Sequence, residues 1–511
     1  MTIVSVKDAG AIGVVADAIA QDLPPNAWTS ASNVRFRDGC AERFLGDEQV
    51  FTTPAVTPYF LAPYQTTSKR FWVHAGTAAV YADDGATRTD ITGTAPTGAA
   101  TDRWTGGTLN GVFILNNGVD QPMFWGGDTG LNLATLTGWN TNWRCKSLRP
   151  FKNYILALNL TKTGVNYPHM VKWSHAAEPG TVPVSWDEAD PAKDAGEVDL
   201  AETPDLIVDG MALGDTFVVY KQRSMYAASY IGQPYIFRFQ RLPGEYGILA
   251  RGCVADTPMG HVVLTAGDVI VHQGQGARSI LTGKMRRWLF TQMDSDNYAA
   301  SFVVTNPWRN EVWICFPEAG ATACTKALVW NWNDGTFGVR TLDNVTYGAA
   351  GQMDFAGSTS WSADTATWDS DTSGWNQNEF SQAEARLLLS SSAPKILSVD
   401  TGALMSGSNV ADSLERTGLA FDAPYQSKMV RAVYPRIDAA KGTTVQIQVG
   451  ASMDAEAEPT WSAPVTYTVG STFKADVIAT GRILAVRFSS TSAQPWRIRS
   501  YDLDVVPLGA Y

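Results

Sequence analysis

Short apolar runs closed by small polar residues recur along residues 59 to 343, and their spacing predicts the architecture. They read RFWVHAG from Arg70, GVFILNNG from Gly111, NYILALN from Asn153, DTFVVYK from Asp215, HVVLTAG from His261 and EVWICFP from Glu311. A more polar run precedes each one: YFLAPYQ, RWTGGTL, CKSLRPF, PDLIVDG, RGCVADT and ASFVVTN. A third run with an aromatic or β-branched core follows (AAVYADDG, QPMFWGG, HMVKWSH, SMYAAS, DVIVHQG, KALVWNW). Then comes a fourth (TRTDITG, LNLATLT, PVSWDE, YIFRFQRL, RSILTG, FGVRTLD). Four short strands per unit of roughly 40 to 60 residues is the pattern of β-propeller blades. Asn110-Gly111, Asn117-Gly118, Asp38-Gly39 and Asp334-Gly335 stand between apolar runs, where hairpin turns call for positive φ.

Residues 347 to 421 read as a seventh, interrupted unit: YGAAGQM, RLLLSSS from Arg386, KILSVDTG from Lys395 and LERTGLAF from Leu414. An insertion near 355–380 carries Trp361, Trp368 and Trp375 among Ser, Asp and Thr, turn formers that favour a loop or short hairpin over a helix. The hairpin NVRFRDGCAERFLG around Asp38-Gly39 is expected to latch the first blade to the last. From residue 429 the chain alternates cleanly (MVRAVYPRI, TTVQIQVGAS, PVTYTVG, FKADVIAT, RILAVRFSS, WRIRSYDLDVV), so each strand has one wet and one buried face. The expected fold is therefore all-β: a β-propeller of six or seven four-stranded blades followed by a carboxy-terminal β-sandwich. The expected divisions are an extended segment and latching hairpin over 1–58, the propeller over 59–421 and the sandwich over 422–511.

Composition fits. Hydrophobic residues make up 45% of the 511 and charged residues only 17%, with 45 Gly and 18 Trp, the balance of a turn-rich all-β chain. No apolar run reaches the roughly 18 residues of a bilayer span, so no stable membrane insertion is expected. Ala11 to Ala20 is broken by Asp17 and leads into Pro24-Pro25, a poor signal peptide, which points to synthesis in a cytoplasm. The net charge of -11 weighs against tight binding of DNA, which needs cations to displace phosphate counterions. The basic knot Lys284, Arg286 and Arg287 reads as a blade edge. Cys40, Cys145, Cys253, Cys315 and Cys324 are scattered without a CxxC pair and read as buried free thiols.

The search for chemistry finds no catalytic residues, no cofactor and no metal site of full pattern. HExxH, GxSxG and P-loop motifs are missing. Asp369, Asp371 and Ser373 copy the first half of a calcium loop, but Phe380 stands where the bidentate Glu belongs. Asp187, Glu188, Asp190, Asp194, Glu197, Asp199 and Glu202 crowd round a single Lys193. Paired carboxylates there would suit acid/base work on a sugar; the plainer reading is a solvated acidic loop in the third blade. The chain is not expected to be an enzyme, and a propeller-based glycan-binding protein or glycosidase is the alternative.

Both ends of the chain carry a resemblance. Asp22 to Trp28 (DLPPNAW), Asn33 to Gly39 (NVRFRDG) and Glu42-Arg43 resemble the opening of tail hub or nozzle proteins of short-tailed bacteriophages. Leu414 to Leu419 (LERTGL), Gly481-Arg482 with LAVRFSS, Trp496-Arg497 and Tyr501 to Pro507 (YDLDVVP) are similar to later segments of that family. The resemblance implies a structural virion protein of the tail, made in the host bacterial cytoplasm. It would form a homohexameric ring below the adaptor (head-to-tail connector) proteins, meet tail fibres or tailspikes, and enclose part of the DNA exit channel without gripping the DNA. Trp28, Arg35 and Arg37, being types that anchor interfaces, are then candidates for the interface between copies, with the carboxy-terminal sandwich as the alternative; Trp28 fits a plug of the propeller's own core equally well.

Overall fold

The computed structural model describes residues 2–353, 384–405, 407–421, 423–454 and 456–510. The chain is all-β apart from one helix, Arg286–Gln292, and two short 3-10 turns among the described residues. Its contacts fall into two compact units, 1–48 with 252–345 and 399–511, and 49–251 with 346–398.

The 49–251 unit opens with four antiparallel four-stranded blades in chain order. The first is Phe60–Gln65, Arg70–Ala75, Val80–Asp83 and Arg88–Asp90; the second is Thr105–Leu109, Val112–Asn116, Met123–Trp125 and Ala134–Thr135. The third is Trp143–Phe151, Tyr154–Lys162, Val165–Trp173 and Gly196–Asp199; the fourth is Ile207–Leu213, Thr216–Lys221, Met225–Gly232 and Ile236–Arg241. Successive blades stack face to face, which explains why the second strand of each is apolar on both sides. Phe113 and Leu115 pack with Phe71 and Val73 of the first blade, while Ile114 on the opposite face packs with Leu148 and Ile155 of the third. The third meets the fourth through Leu156, Leu158, Phe217 and Val219. Alternation that would leave one face wet in a single sheet here serves two dry neighbours.

A further sheet closes this unit's list of strands. The far end of Thr336–Met353 pairs Glu384–Ser391, which pairs Lys395–Val399, and the Val50 amide donates to the Ile396 carbonyl at 2.9 Å. Leu388 and Ile396 pack on Leu61 and Trp72 of the first blade. Three strands of the seventh unit thus stand where its sequence puts them. The fourth does not: Asp412–Leu419 pairs Ile483–Ser490 and Ser30–Ser32 instead. Its alternating Leu414, Arg416 and Gly418 suit a two-layer sandwich better than a blade edge. In the third blade, likewise, the outer strand is Gly196–Asp199 rather than PVSWDE. Gly196 permits it, because a Cβ there would lie 2.3 Å from the Trp173 ring.

The other unit holds two blades and the sandwich. The blades are Val254–Thr257, Gly260–Leu264, Val269–His272 and Ala277–Ser279, then Phe302–Asn306, Glu311–Phe316, Cys324–Asn331 and the near end of Thr336–Met353. One sandwich layer orders Thr2–Val6, Trp496–Ala510, Gln426–Ala439 and Ala475–Gly481; the other orders Ser30–Ser32, Asp412–Leu419, Ile483–Ser490 and Thr444–Ser452, the last also pairing Val465–Thr468. Val430, Val433, Val477 and Leu503 face Leu414, Ile447, Val486 and Phe488 in its dry interior. The Asp38-Gly39 hairpin does not latch first blade to last. It runs from the sixth blade (Val34 opposite Val339) to the sandwich (Ala41 opposite Ile498, Glu42 opposite Arg497). The compact units therefore cut across the divisions at 59 and 422, because chain-end strands complete the sandwich.

Two of the four turn dipeptides have positive φ at both residues, Asp38-Gly39 and Asn110-Gly111; in the other two only Gly118 and Gly335 do. The basic knot begins the helix rather than a blade edge. The Asp17 carboxylate accepts the Arg287 and Trp288 amides at 2.7 and 3.0 Å, serving as an N-terminal cap from far away in sequence. Lys284 is half-buried and donates to the Gly335 carbonyl at 2.9 Å. All five cysteines are buried thiols.

Candidate functional site

Two places gather the residues that the sequence singles out. The first is a junction within the unit that contains both chain ends. Trp28 is fully buried between Phe488 and Tyr501, with ring centroids 6.1 and 5.9 Å away, and its indole N–H donates to the Ala9 carbonyl. Arg416 reaches back to the carbonyls of Ala20 and Leu23 at 2.8 and 2.7 Å. Arg43 pairs Asp412 at 2.9 Å, and the Trp496 indole donates to the other Asp412 oxygen at 3.1 Å. Burial pushes the Asp412 carboxyl up to about 7 against the pull of Arg43 and Trp496. Arg497 lies 3.6 Å from Asp38 and 3.8 Å from Glu42. Segments from the two ends that carry the resemblance thus meet here, Trp28 against Tyr501 and Arg416 on the Leu23 carbonyl.

Next to this lies a dry ionic knot. Arg35 meets Glu311 at 3.0 Å and Asp400, and its guanidinium stands 4.2 Å from the Phe44 ring centre. Arg340 meets Asp400 at 3.2 Å and also Asp47, between Phe44 and Trp313. Burial alone would raise Asp400, but the two guanidiniums outweigh it and hold the carboxyl below its ordinary value. Desolvation wins at Asp47 and Glu311, whose carboxyls are raised. Trp28 and Arg35 are therefore core residues and not interface anchors, since neither has surface to offer. Arg37 is partly exposed and pairs Glu42 at 3.1 Å.

The second place is a groove of about 560 Å³ in the other unit, along the outer strands of the third and fourth blades. Trp173, Tyr235 and Phe239 line it together with Glu188, Asp194 and Glu197. The Lys172 ammonium lies beneath with a fully buried side chain, bridging Glu188 and Glu197, the latter at 3.0 Å. Lys162 also pairs Glu197. Burial would raise Glu188, yet its bond to Lys172 keeps the carboxyl below the ordinary value. Asp194 accepts from Tyr154 at 3.3 Å and Gln233 at 3.0 Å. Asp187 and Asp190 hold their own turns through the Ala189 and Ala192 amides at 3.0 and 2.9 Å. Asp199 is exposed, and Glu202 accepts from Tyr226 at 3.4 Å. A glycosidase needs one carboxyl kept protonated and its partner ionised. Lys172 bridges the two glutamates and holds the Glu188 carboxyl below its ordinary value, so Glu188 suits contact with hydroxyls or cations more than giving up a proton.

Asp369, Asp371 and Ser373, with the three tryptophans of the insertion, lie outside the described residues. Among the described residues no cluster of three or more His, Cys, Asp or Glu is arranged to hold a metal ion, and no helix is long and apolar enough to cross a membrane. Sequence reasoning passed over Lys172, Arg340, Asp400 and Asp412. Lys172 and Arg340 left a signal, a cation in the middle of an otherwise apolar run (HMVKWSH, FGVRTLD).

No protein-family model and no curated protein matches the chain. Solved structures similar to it include the WD40 beta propeller domain of Doa1, at 12% identity over 70% of this chain and 97% of that one, with a TM-score of 0.33. The computationally designed Ika8 protein is similar at 11% identity over 69% of this chain and 99% of that one, with a TM-score of 0.35. Chaetomium thermophilum Raptor is similar at 8% identity over 70% of this chain and 29% of that one, with a TM-score of 0.37. Likeness at these scores carries no argument about function, and the all-β blade architecture stands on the sheets themselves.

Proposed function

We propose that the chain is a structural subunit of the tail hub, or nozzle, of a short-tailed bacteriophage. Six copies would ring the DNA exit path below the adaptor proteins of the virion tail, with fibres or spikes outside. One observation carries the reading: the segments that resemble this family, at opposite ends of the sequence, meet in one junction, with Trp28 against Tyr501, Arg416 on the Leu23 carbonyl, and Arg43 and Trp496 sharing Asp412. Scattered chance likenesses have no reason to assemble so. Charge supports it as well. A conduit works best when it repels its cargo, and a net charge of -11 disfavours the phosphate contacts that would add drag. The test adds the virion's adaptor ring to purified protein and images the product. Six copies per ring support the reading; a monomer that ignores the ring, or sub-micromolar affinity for bare duplex DNA near physiological salt, overturns it.

The groove favours a second reading, a glycan-binding propeller, because Trp173, Tyr235 and Phe239 offer aromatic faces beside carboxylates. Retention on a glycan array, lost in Tyr235→Ala, would bring it forward.

A further inference from the structure

The sandwich ends its sheets differently from the blades. Outer blade strands are mostly short: Arg88–Asp90, Ala134–Thr135, Gly196–Asp199 and Ala277–Ser279. Short outer strands deny other chains a template for pairing. One sandwich layer ends instead on Thr2–Val6 and Ala475–Gly481, each paired on one side only among the described residues, to Trp496–Ala510 and Gln426–Ala439 respectively. On its outer face the middle strands are joined by Arg431–Asp504 at 2.8 Å and Arg436–Asp502 at 3.2 Å. Each edge carries an exposed isoleucine, Ile3 at 48% and Ile478 at 68%.

Direction and charge say what fits there. The layer's successive pairings are all antiparallel, so its two edges run in opposite senses. A second copy turned about an axis along the strands keeps its strand sense. Its Thr2–Val6 strand then meets Ala475–Gly481 antiparallel, as the sheet itself would continue. Period-two alternation requires inward residues opposite inward ones. With Val6 opposite Val477 and Val4 opposite Ala479, Ser5 falls opposite Ile478, Ile3 lies diagonal to Ile478, and exposed Lys7 faces exposed Asp476. Sliding by two residues one way sets Lys7 against Lys474, a repulsive pair. Sliding the other way sets Lys7 against Ile478 and leaves Asp476 with Lys474 of its own chain, at 2.6 Å, as its cation.

We propose that copies of this chain join head to tail by adding the Thr2–Val6 edge of one to the Ala475–Gly481 edge of the next, with Lys7 opposite Asp476. The join is heterologous, so it closes into a ring or runs on as a filament. The inference rests on the ring reading above and names the surface that makes the ring. It is tested with the full chain carrying Ser5→Cys and Ile478→Cys together, oxidised and run without reductant. The native cysteines are buried, and directly opposed strand positions lie within reach of a disulfide. The expected result is a ladder of dimers and higher species, at least tenfold above that from the out-of-register pair Ser5→Cys with Phe473→Cys, which keeps Lys7 and Asp476. Asp476→Lys should weaken self-association at least tenfold, and Lys7→Glu added to it should restore it. No ladder above the control, or association indifferent to Asp476→Lys, overturns the edge join. Six copies imaged on the adaptor ring without a 5–478 bond would overturn the join and leave the ring reading standing. A ladder from a chain that ignores the adaptor would do the reverse.

Discussion

The two compact units each hold carboxylates and cations at close range, but they manage the charge in opposite ways. In the unit with both chain ends, Arg35, Arg340, Asp47, Asp400 and Glu311 are sealed among Phe44 and Trp313, every one of them buried. In the other, Lys172 is sealed while Glu188 and Glu197 keep 38% and 24% of their side chains in water. A sealed network is strong only while complete, since removing one member strands an opposite charge without solvent. A network with one wet side lets water replace what is lost. The first therefore acts as a geometric lock where the hairpin, the sixth blade and Asp400 converge; the second leaves its anions available to a visitor.

The largest effect should come from breaking the lock. Asp400→Ala removes the carboxylate that Arg35 and Arg340 share, leaving two buried guanidiniums with one hydrogen-bonded carboxyl each, Glu311 and Asp47, and is expected to cost about 3–5 kcal/mol. Urea unfolding would show it as a lower midpoint, with the other unit changed less. Equal loss in both units would abolish the contrast between them.

Two aspartates sharpen the contrast through pH. Asp412, raised to about 7, holds a proton in the folded protein that the unfolded chain releases near pH 4. Its contribution is fully present below about pH 4 and is lost as pH rises through 7. That loss is on the order of 4 kcal/mol at most, and Asp412→Asn should flatten the slope. Asp205 behaves oppositely. Burial would raise it, but the Arg223 amide at 2.8 Å, the Ser224 hydroxyl at 3.0 Å and a bond from Thr203 bring it to about 2. Its contribution is present above about pH 4 and is lost as pH falls toward 2, roughly 2 kcal/mol. Thermal melts of Asp205→Asn across pH 2–5 should lose that acid-side dependence.

Much of this was legible in the sequence because blades obey a local rule. RFWVHAG, GVFILNNG and DTFVVYK announce second strands, since the central residues of each are buried on both faces. What stayed hidden depends on partners far away in the chain. Asp412 stands two residues ahead of LERTGLAF, which reads as a blade strand until Trp496 and Arg43 are seen beside that aspartate. Trp28 fits an interface anchor or a core plug equally until Phe488 and Tyr501 enclose it. The acidic run from Asp187 looks uniformly solvated because nothing near it in sequence reveals Lys172 below. Periodicity reports which face is dry, and not which distant charge waits there.

The smallest expected effect lies on the wet side of the comparison. Replacing Asp187, Glu188 and Asp190 with Asn, Gln and Asn removes two exposed turn caps and one of the two anions on Lys172. Glu197 still reaches that ammonium at 3.0 Å, and the amide oxygens of the new side chains still accept hydrogen bonds. No charge is stranded, so unfolding should shift by less than about 1 kcal/mol, and assembly with the adaptor ring should persist. The contrasting variant is Glu188→Gln with Glu197→Gln, which leaves Lys172 without any carboxylate and should cost more than the triple change. Matching losses from the two would mean that Lys172 does not organise the groove. Glycan cleavage by the unaltered protein that vanished in the triple variant would show that one of these carboxyls moves a proton after all.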